Sequence, residues 1–215
     1  MTSGRAGAGA GDARYVIAVA APVGGGKSTL VRRLAERLAD ATAIHFDHYE
    51  RITEQPIEKI SLWMQHGADL DEFEIPRLAD DLQALKRGSS VLDPLTRAEI
   101  PARKYILFET QFGRQHAATG RHIYFLIWVD TPLDVALARK VRQFAGELDG
   151  RDAGANRAFA SWLRAYLDNY LAVVGGLLRI QRETVGANAD LVIDGERDPD
   201  ALLRQAAQEI LQRFK

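Results

Sequence analysis

The sequence predicts an α/β fold in which a mostly parallel β-sheet carries helices on both faces. Two observations predict it. Short apolar runs of strand type alternate along the chain with segments whose apolar residues recur at helical spacing. Several of the strand runs close on an acidic residue, and ligands of open parallel sheets sit beyond the carboxyl ends of the strands.

Residues 1–14 are rich in Gly, Ala, Ser and Thr and read as a flexible tail. A signal peptide is a poor reading, because the apolar run that follows leads straight into a motif that must stay intact. Residues 15–215 then make a single domain. Tyr15–Ala20 joins β-branched and small residues in the pattern of a buried strand. A Gly-rich turn leads to Lys27–Ala39, where Leu30, Val31, Leu34 and Leu38 share one helical face. Ala43–Phe46 reads as a second strand and ends in Asp47. Pro56–His66 is weakly helical, whereas Pro76–Lys86 aligns Leu78, Leu82 and Leu85 on one face and stops at Gly88. Ser89–Leu92 is short and extended. Tyr105–Phe108 and Ile123–Val129 are strand runs closing on Glu109 and Asp130. Pro132 suits the first turn of a helix reaching Phe144, and Gly146–Asn156 reads as a loop. Trp162–Leu178 carries a wide apolar stripe, and its aromatic members Trp162, Tyr166 and Tyr170 are expected to pack into the core. Leu191–Ile193 is a last strand and Asp198–Phe214 a closing amphipathic helix.

Among the 215 residues, 28 Lys and Arg face 29 Asp and Glu, a formal net charge of -1. That balance disfavours a nucleic-acid partner, which calls for a strongly basic surface. The absence of cysteine excludes disulfides, zinc–thiolate sites, thiol nucleophiles and iron–sulfur clusters. It also fits a reducing compartment, so a cytoplasmic location is expected. The longest uncharged stretches run from Tyr15 up to Lys27 and from Asn169 up to Arg179, short of the roughly 18 residues a membrane span needs. No membrane partner is expected. An apolar helix face serves either the core or a homodimer interface, and the sequence leaves that choice open.

The strongest chemical signal is Ala21-Pro-Val-Gly-Gly-Gly-Lys27-Ser28-Thr29, between a strand and a helix. It has the Walker A spacing, with Ala21 in place of the usual first Gly. Gly24, Gly25 and Gly26 let the backbone curl so that its N–H groups face phosphate oxygens. Lys27 can reach the β- and γ-phosphates, Ser28 can offer its hydroxyl to Mg²⁺, and Thr29 continues the cradle. Nucleoside triphosphate binding and a P-loop NTPase fold follow. The Asn-Lys-x-Asp sequence of guanine binders does not occur, and a motor would need a longer chain. A small kinase using ATP and Mg²⁺ remains.

The chain resembles the phosphoribulokinase/uridine kinase group of P-loop kinases over roughly residues 15–214. The resemblance rests on the phosphate loop, Ile44-His-Phe-Asp47-His-Tyr49, Tyr105-Ile-Leu-Phe-Glu109, the basic segment Arg139-Lys-Val-Arg142, the triplet Gly150-Arg151-Asp152 and the closing Ala189–Gly195. It implies that Asp47 is the base for the acceptor hydroxyl and that Glu109 helps Ser28 hold Mg²⁺. It also implies a small helical lid at about residues 141–157. Arg139 and Arg151 would stabilise the transferring phosphoryl group, and Arg142 would assist in nucleotide binding. The group's pyrimidine-contacting segments are replaced by Gly67-Ala-Asp-Leu-Asp71 and Pro94-Leu-Thr-Arg97, so the aromatic that would stack on a pyrimidine is missing.

Candidate acceptor contacts are His48, Tyr49, Arg97, Gln111 and Arg114, with Trp63 and Asp69 beside them. Gln111 and Arg114 follow Glu109 directly, and arginines would suit an acceptor bearing phosphate or carboxylate. His45, His66, His116 and His122 lack metal-ligand spacing and read as structural or surface residues. The expected function is transfer of the γ-phosphoryl of ATP to a hydroxyl of a small molecule, a nucleoside or related metabolite first. Pantothenate, a sugar or an antibiotic-like nucleoside are alternative acceptors. A nucleotide-dependent switch that recruits a partner protein is the alternative of another class.

Overall fold

The computed structural model describes residues 13–50, 59, 62, 63, 66, 69–72, 74–146 and 153–214. Five strands pair in parallel: β1 (Tyr15–Ala20), β2 (Ala41–His45), β5 (Tyr105–Thr110), β6 (Ile123–Asp130) and β7 (Leu191–Asp194). Their spatial order is β2-β5-β1-β6-β7, so the strand leading into the phosphate loop is central. Strands β3 (Val91–Leu92) and β4 (Glu99–Ile100) form a separate antiparallel hairpin.

Period-two alternation assigns each strand residue to a face. Ile17 and Val19 of β1, Leu107 of β5, and Phe125, Ile127 and Val129 of β6 face one side. Helices α1 (Lys27–Arg37) and α7 (Pro199–Arg213) cover it through Leu30, Val31, Leu34, Ala206 and Ile210. Val16, Ala18, Ile106, Phe108, Leu126 and Trp128 face the other side, where α2 (Pro76–Arg87) packs with Leu78, Leu82 and Leu85. Burial of both faces explains why the central strands are nearly continuous apolar runs.

Further helices are the short α3 (Ala117–Gly120), α4 (Leu133–Gly146), α5 (Ala153–Asn169) and α6 (Gly175–Thr184). A single π-helical turn, Tyr170–Val174, links α5 to α6. The expected tail falls almost wholly outside the described residues, as do much of Pro56–His66 and the 147–152 part of the expected lid.

The aromatic stripe corrects an expectation. Trp162 and Tyr166 do not join the sheet core. None of the α5 residues whose burial is described is buried, and Trp162 is 46% exposed. The two rings instead grip Phe144 of α4 edge-on, at 4.7 Å and 5.2 Å between centroids. Helical periodicity marks an apolar face but not what covers it; here a neighbouring helix does.

Candidate active site

After Ala20 the chain curls through Ala21–Gly26 into α1. Gly24 and Gly26 have φ of 80° and 99°, a region that side chains disfavour. Gly24 is required twice over, since a Cβ there would lie 2.1 Å from the Ala136 carbonyl oxygen. A Cβ on Gly26 would meet nothing within 4 Å. Helix α1 starts with no side-chain cap and no acid in its first turn, so its first N–H groups and positive dipole end are left for an anion. The loop is braced on several sides. Gly25 N–H donates to the Pro22 carbonyl at 2.8 Å, and the Thr131 hydroxyl donates to the Gly25 carbonyl at 3.0 Å. The Gln181 amide of α6 donates to the carbonyls of Ala21 at 3.4 Å and Gln111 at 2.6 Å.

Glu109 is the hub. The register pairs it with His45, and the shared strand parity turns both toward the α1 side. Its carboxylate is 4% exposed, accepts a 2.5 Å hydrogen bond from the Ser28 hydroxyl and lies 3.5 Å from the Lys27 ammonium. His45 Nδ1 donates to the other carboxylate oxygen. Burial pushes the Glu109 carboxyl up, but His45, Lys27 and Ser28 outweigh it and hold it down at about 2. His45, expected to be a structural or surface residue, is joined to Glu109 and so to this cluster. The signal that could have found it is the equal closing position of the two strands.

Asp47 lies one turn further, in the 3-10 segment Phe46–His48, and is exposed. Gln111 donates to its Oδ1 at 2.9 Å. His48 Nδ1 lies 2.6 Å from Asp93 Oδ2 of the β3–β4 hairpin, and its ring is 5.0 Å from that of His45. Burial pushes Asp93 up, but N–H donors of Thr96 and Leu95 together with His48 hold it at about 2.

The structure thus brings together Gly24, Gly25, Gly26, Lys27, Ser28, Glu109, Asp47, Gln111 and His48. Thr29 is exposed in the next turn position and lines a shallow groove of about 500 Å³ with Ser28, Arg32, Ala43 and His45. Other candidates are committed elsewhere. The Tyr49 hydroxyl donates to Asp81 of α2 at 2.9 Å, and burial and that bond push the phenol above its ordinary value. Arg114 binds Asp190 at 2.5 Å and the carbonyls of Asn188 and Tyr124, clamping the amino-terminal half of β6, far along the strand from the phosphate loop. Arg97 occupies the left-handed position of the hairpin turn, φ 62°, and that hairpin reaches the site through Asp93 instead. Trp63 donates to the Asp69 carbonyl at 2.8 Å.

On α4, Arg139 turns to the Gly195 carbonyl at 3.0 Å, and Arg142 is exposed. Lys140 starts on the α4 face beside the loop, its Cβ 3.2 Å from where a Cβ on Gly24 would stand, while its ammonium lies 4.6 Å over the Phe144 ring and donates to Gln143 Oε1 at 3.3 Å. Arg151 lies outside the described residues.

No protein-family model matches the chain, and no curated protein matches it. Solved structures do. A possible uridine kinase from Bacillus stearothermophilus superposes with a TM-score of 0.52 at 14% identity, over 87% of this chain and 92% of that one. The chain has an α/β P-loop NTPase fold. Shikimate kinase from Acinetobacter baumannii, in complex with shikimate, gives 0.48 at 20% identity, over 94% and 93% of the two chains. A gluconokinase from Sinorhizobium meliloti gives 0.49 at 14% identity, over 94% of each. At these identities the likeness is one of fold, and the last two scores add no weight. Within this fold, Glu109 ends the strand beside β1 and Asp47 follows the edge strand, so both stand at the carboxyl end of the sheet. Among the described residues no helix is long and apolar enough to cross a membrane.

Proposed function

We propose that the chain is an ATP- and Mg²⁺-dependent phosphotransferase that moves the γ-phosphoryl group to a hydroxyl of a small molecule. The carrying observation is a pair of neighbouring acids with opposite surroundings. Glu109 is buried and tied to Lys27 and Ser28 of the phosphate cradle; Asp47 is exposed and, among the described residues, tied only to Gln111. Two carboxylates so divided suit two tasks, one at the metal and one at the proton.

Ser28 and Glu109 offer a hydroxyl and a carboxylate oxygen 2.5 Å apart, donors of the kind Mg²⁺ takes beside phosphate oxygens and water. When bound, the ion would offset charge on the phosphates. Asp47 orients the acceptor hydroxyl and takes its proton as the oxygen bonds to the γ-phosphorus; ADP leaves with the bridging oxygen. Lys27 stabilises the phosphate charge. Lys140 and Arg142, with Arg151 of a lid at residues 141–157, add cations as that lid closes and excludes water. Arg139 supports the helix that carries them. A nucleoside or related metabolite leads among acceptors, with a sugar, pantothenate or an antibiotic-like nucleoside as alternatives, in a cytoplasmic setting.

The test is ADP release from MgATP across such acceptors. Asp47→Asn lowers the stimulated rate about 10²–10⁴-fold and leaves ATP affinity nearly unchanged. Stimulation that persists in Asp47→Asn removes Asp47 as the base. Tight ATP binding with no stimulation by any acceptor favours the partner-recruiting switch.

A further inference from the structure

We propose that Gln181 of α6 is a positioning residue for Asp47: it locks Gln111, whose side chain holds Asp47, against the start of the phosphate loop. This rests on the phosphotransferase reading and adds to it a residue remote in sequence from the site's motifs.

Helix α6 reaches the carboxyl ends of three strands. The Gln181 amide donates to the carbonyl of Ala21, just past β1, at 3.4 Å, and to that of Gln111, just past β5, at 2.6 Å. Arg182 donates to Asp130, the last residue of β6, at 2.8 Å. The three strands are neighbours in the order β5-β1-β6, so two consecutive side chains tie one helix to adjoining strand ends. The loop after β5 is laid along the same helix. Gln115 donates to the Thr184 carbonyl at 3.5 Å, and a Cβ on Gly113 would stand 2.6 Å from the Val185 side chain.

The short contact is the one beside the base. The main chain of Gln111 accepts from Gln181, and its side-chain amide donates to Asp47 Oδ1 at 2.9 Å. The phosphate loop has braces of its own in the Gly25 N–H to Pro22 and Thr131 to Gly25 bonds, and its contact with Gln181 is the longer one. Loss of Gln181 therefore falls on the acceptor side. Stability alone does not account for the amide. Gln181 Oε1 is buried with no partner among the described residues, and a buried polar atom left unpaired is destabilising. What the amide supplies is a donor shared by two loops whose separation sets where Asp47 stands relative to the phosphates. A misplacement of about 1 Å there costs about 10²-fold in rate. Gln181 touches no reacting atom and acts through Gln111.

Two kinds of measurement test this on the full chain. Initial rates are taken with MgATP and whichever of uridine, D-ribose, D-gluconate and pantothenate stimulates ADP release. Gln181→Leu removes the donor; kcat is expected to fall about tenfold or more, with KM for ATP changed less than about twofold. Gln181→Glu puts an acceptor in place of the NH₂ and is expected to do the same, so the result does not hang on one variant. Gln111→Ala keeps the carbonyl that Gln181 holds but removes the amide that holds Asp47. In that background Gln181→Leu is expected to change kcat less than about twofold. Arg182→Ala loosens the same helix without touching Gln111 and is expected to leave kcat unchanged. Independently of turnover, NMR reads the side-chain amide protons of Gln111. They are expected to shift in Gln181→Leu in the direction they shift in Asp47→Ala, and to stay in place in Arg182→Ala. Amide protons unmoved by Gln181→Leu, kcat losses equal with and without the Gln111 side chain, or a matching loss in Arg182→Ala overturns the positioning role. ADP release that no alcohol stimulates in the wild type refutes the phosphotransferase reading instead. The amide measurement tells the two failures apart.

Discussion

Glu109→Gln isolates the charge at the centre of the site. The substitution keeps shape and an oxygen for the Ser28 hydroxyl but removes the negative charge facing Lys27 and His45. The carboxyl falls from its ordinary 4.5 to about 2 in the folded chain. At about 1.4 kcal/mol per tenfold change, its neighbours favour the charged form by about 3 kcal/mol. The folded value lies below the unfolded one, so this stabilisation is complete above about pH 4.5 and is lost as the pH falls toward 2. Urea unfolding of both proteins between pH 7 and pH 3 measures it. With a slope of about 2–3 kcal/mol/M, the midpoint of Glu109→Gln should lie about 1 M lower at pH 7. The gap should narrow to less than half of that by pH 3. Asp93, also held at about 2, titrates in both proteins and cancels. A gap independent of pH would refute the reasoning, because it would show that the surroundings of Glu109 do not favour its charge.

Two substitutions separate the loop's shape from its openness. Gly24→Ala drives a Cβ to 2.1 Å from the Ala136 carbonyl at φ 80°, so ATP affinity measured by calorimetry should fall at least about tenfold; Gly26→Ala meets no atom within 4 Å and should cost only about 1–2 kcal/mol of backbone strain. Equal losses for the two would mean that the contact with Ala136 does not shape the cradle. Arg114→Ala removes the clamp on Asp190 and the Asn188 and Tyr124 carbonyls; it should lower unfolding stability by about 1–3 kcal/mol and leave kcat/KM for the acceptor unchanged. A selective rise in acceptor KM would return Arg114 to the site.

The phosphate half of the site was legible because its signals are local. The run Tyr15–Ala20, three glycines and Lys27-Ser28 specify strand, loop and helix start within fourteen residues. Glu109 was legible as the acid closing an apolar strand. His45 was not, because its role depends on which strand lies beside β2 and in what register, and both are set by packing. Asp93 was hidden for a related reason: forty-five residues separate it from His48, and only the hairpin's placement closes that distance. Arg114 misled through its nearness to Glu109 in sequence. After Thr110 the chain turns back through Gly113, and four residues bring Arg114 to the amino-terminal half of β6. Lys140 and Arg139 are adjacent on α4 and so point about 100° apart; sequence marks both as cations, and only the helix's rotation selects the one beside Gly24.

The two halves of the site are prepared in different ways. Lys27 is 6% exposed, and a buried ammonium is costly without a counter-ion. Glu109 supplies that counter-ion at 3.5 Å before any ligand arrives. For the proposed nucleotide, binding then exchanges one anionic partner of Lys27 for another, with the chain already aimed, instead of stripping water from a mobile amine. Asp47 has no such compensation. It is exposed, and its partner is the neutral amide of Gln111. In the proposed function its charge serves the acceptor's proton, while the charge of Glu109 is spent on Lys27. The difference comes from the sheet. Glu109 ends the strand next to β1 with a parity that faces α1, so cradle residues reach it. Asp47 lies two residues past the end of edge strand β2, where Gln111 is its only partner among the described residues. One strand's difference in position and two residues in length thus divide a pair of like carboxylates, one tied to Lys27 and Ser28 and one left open, which is the division the proposed function uses for a phosphate-side acid and an acceptor-side base.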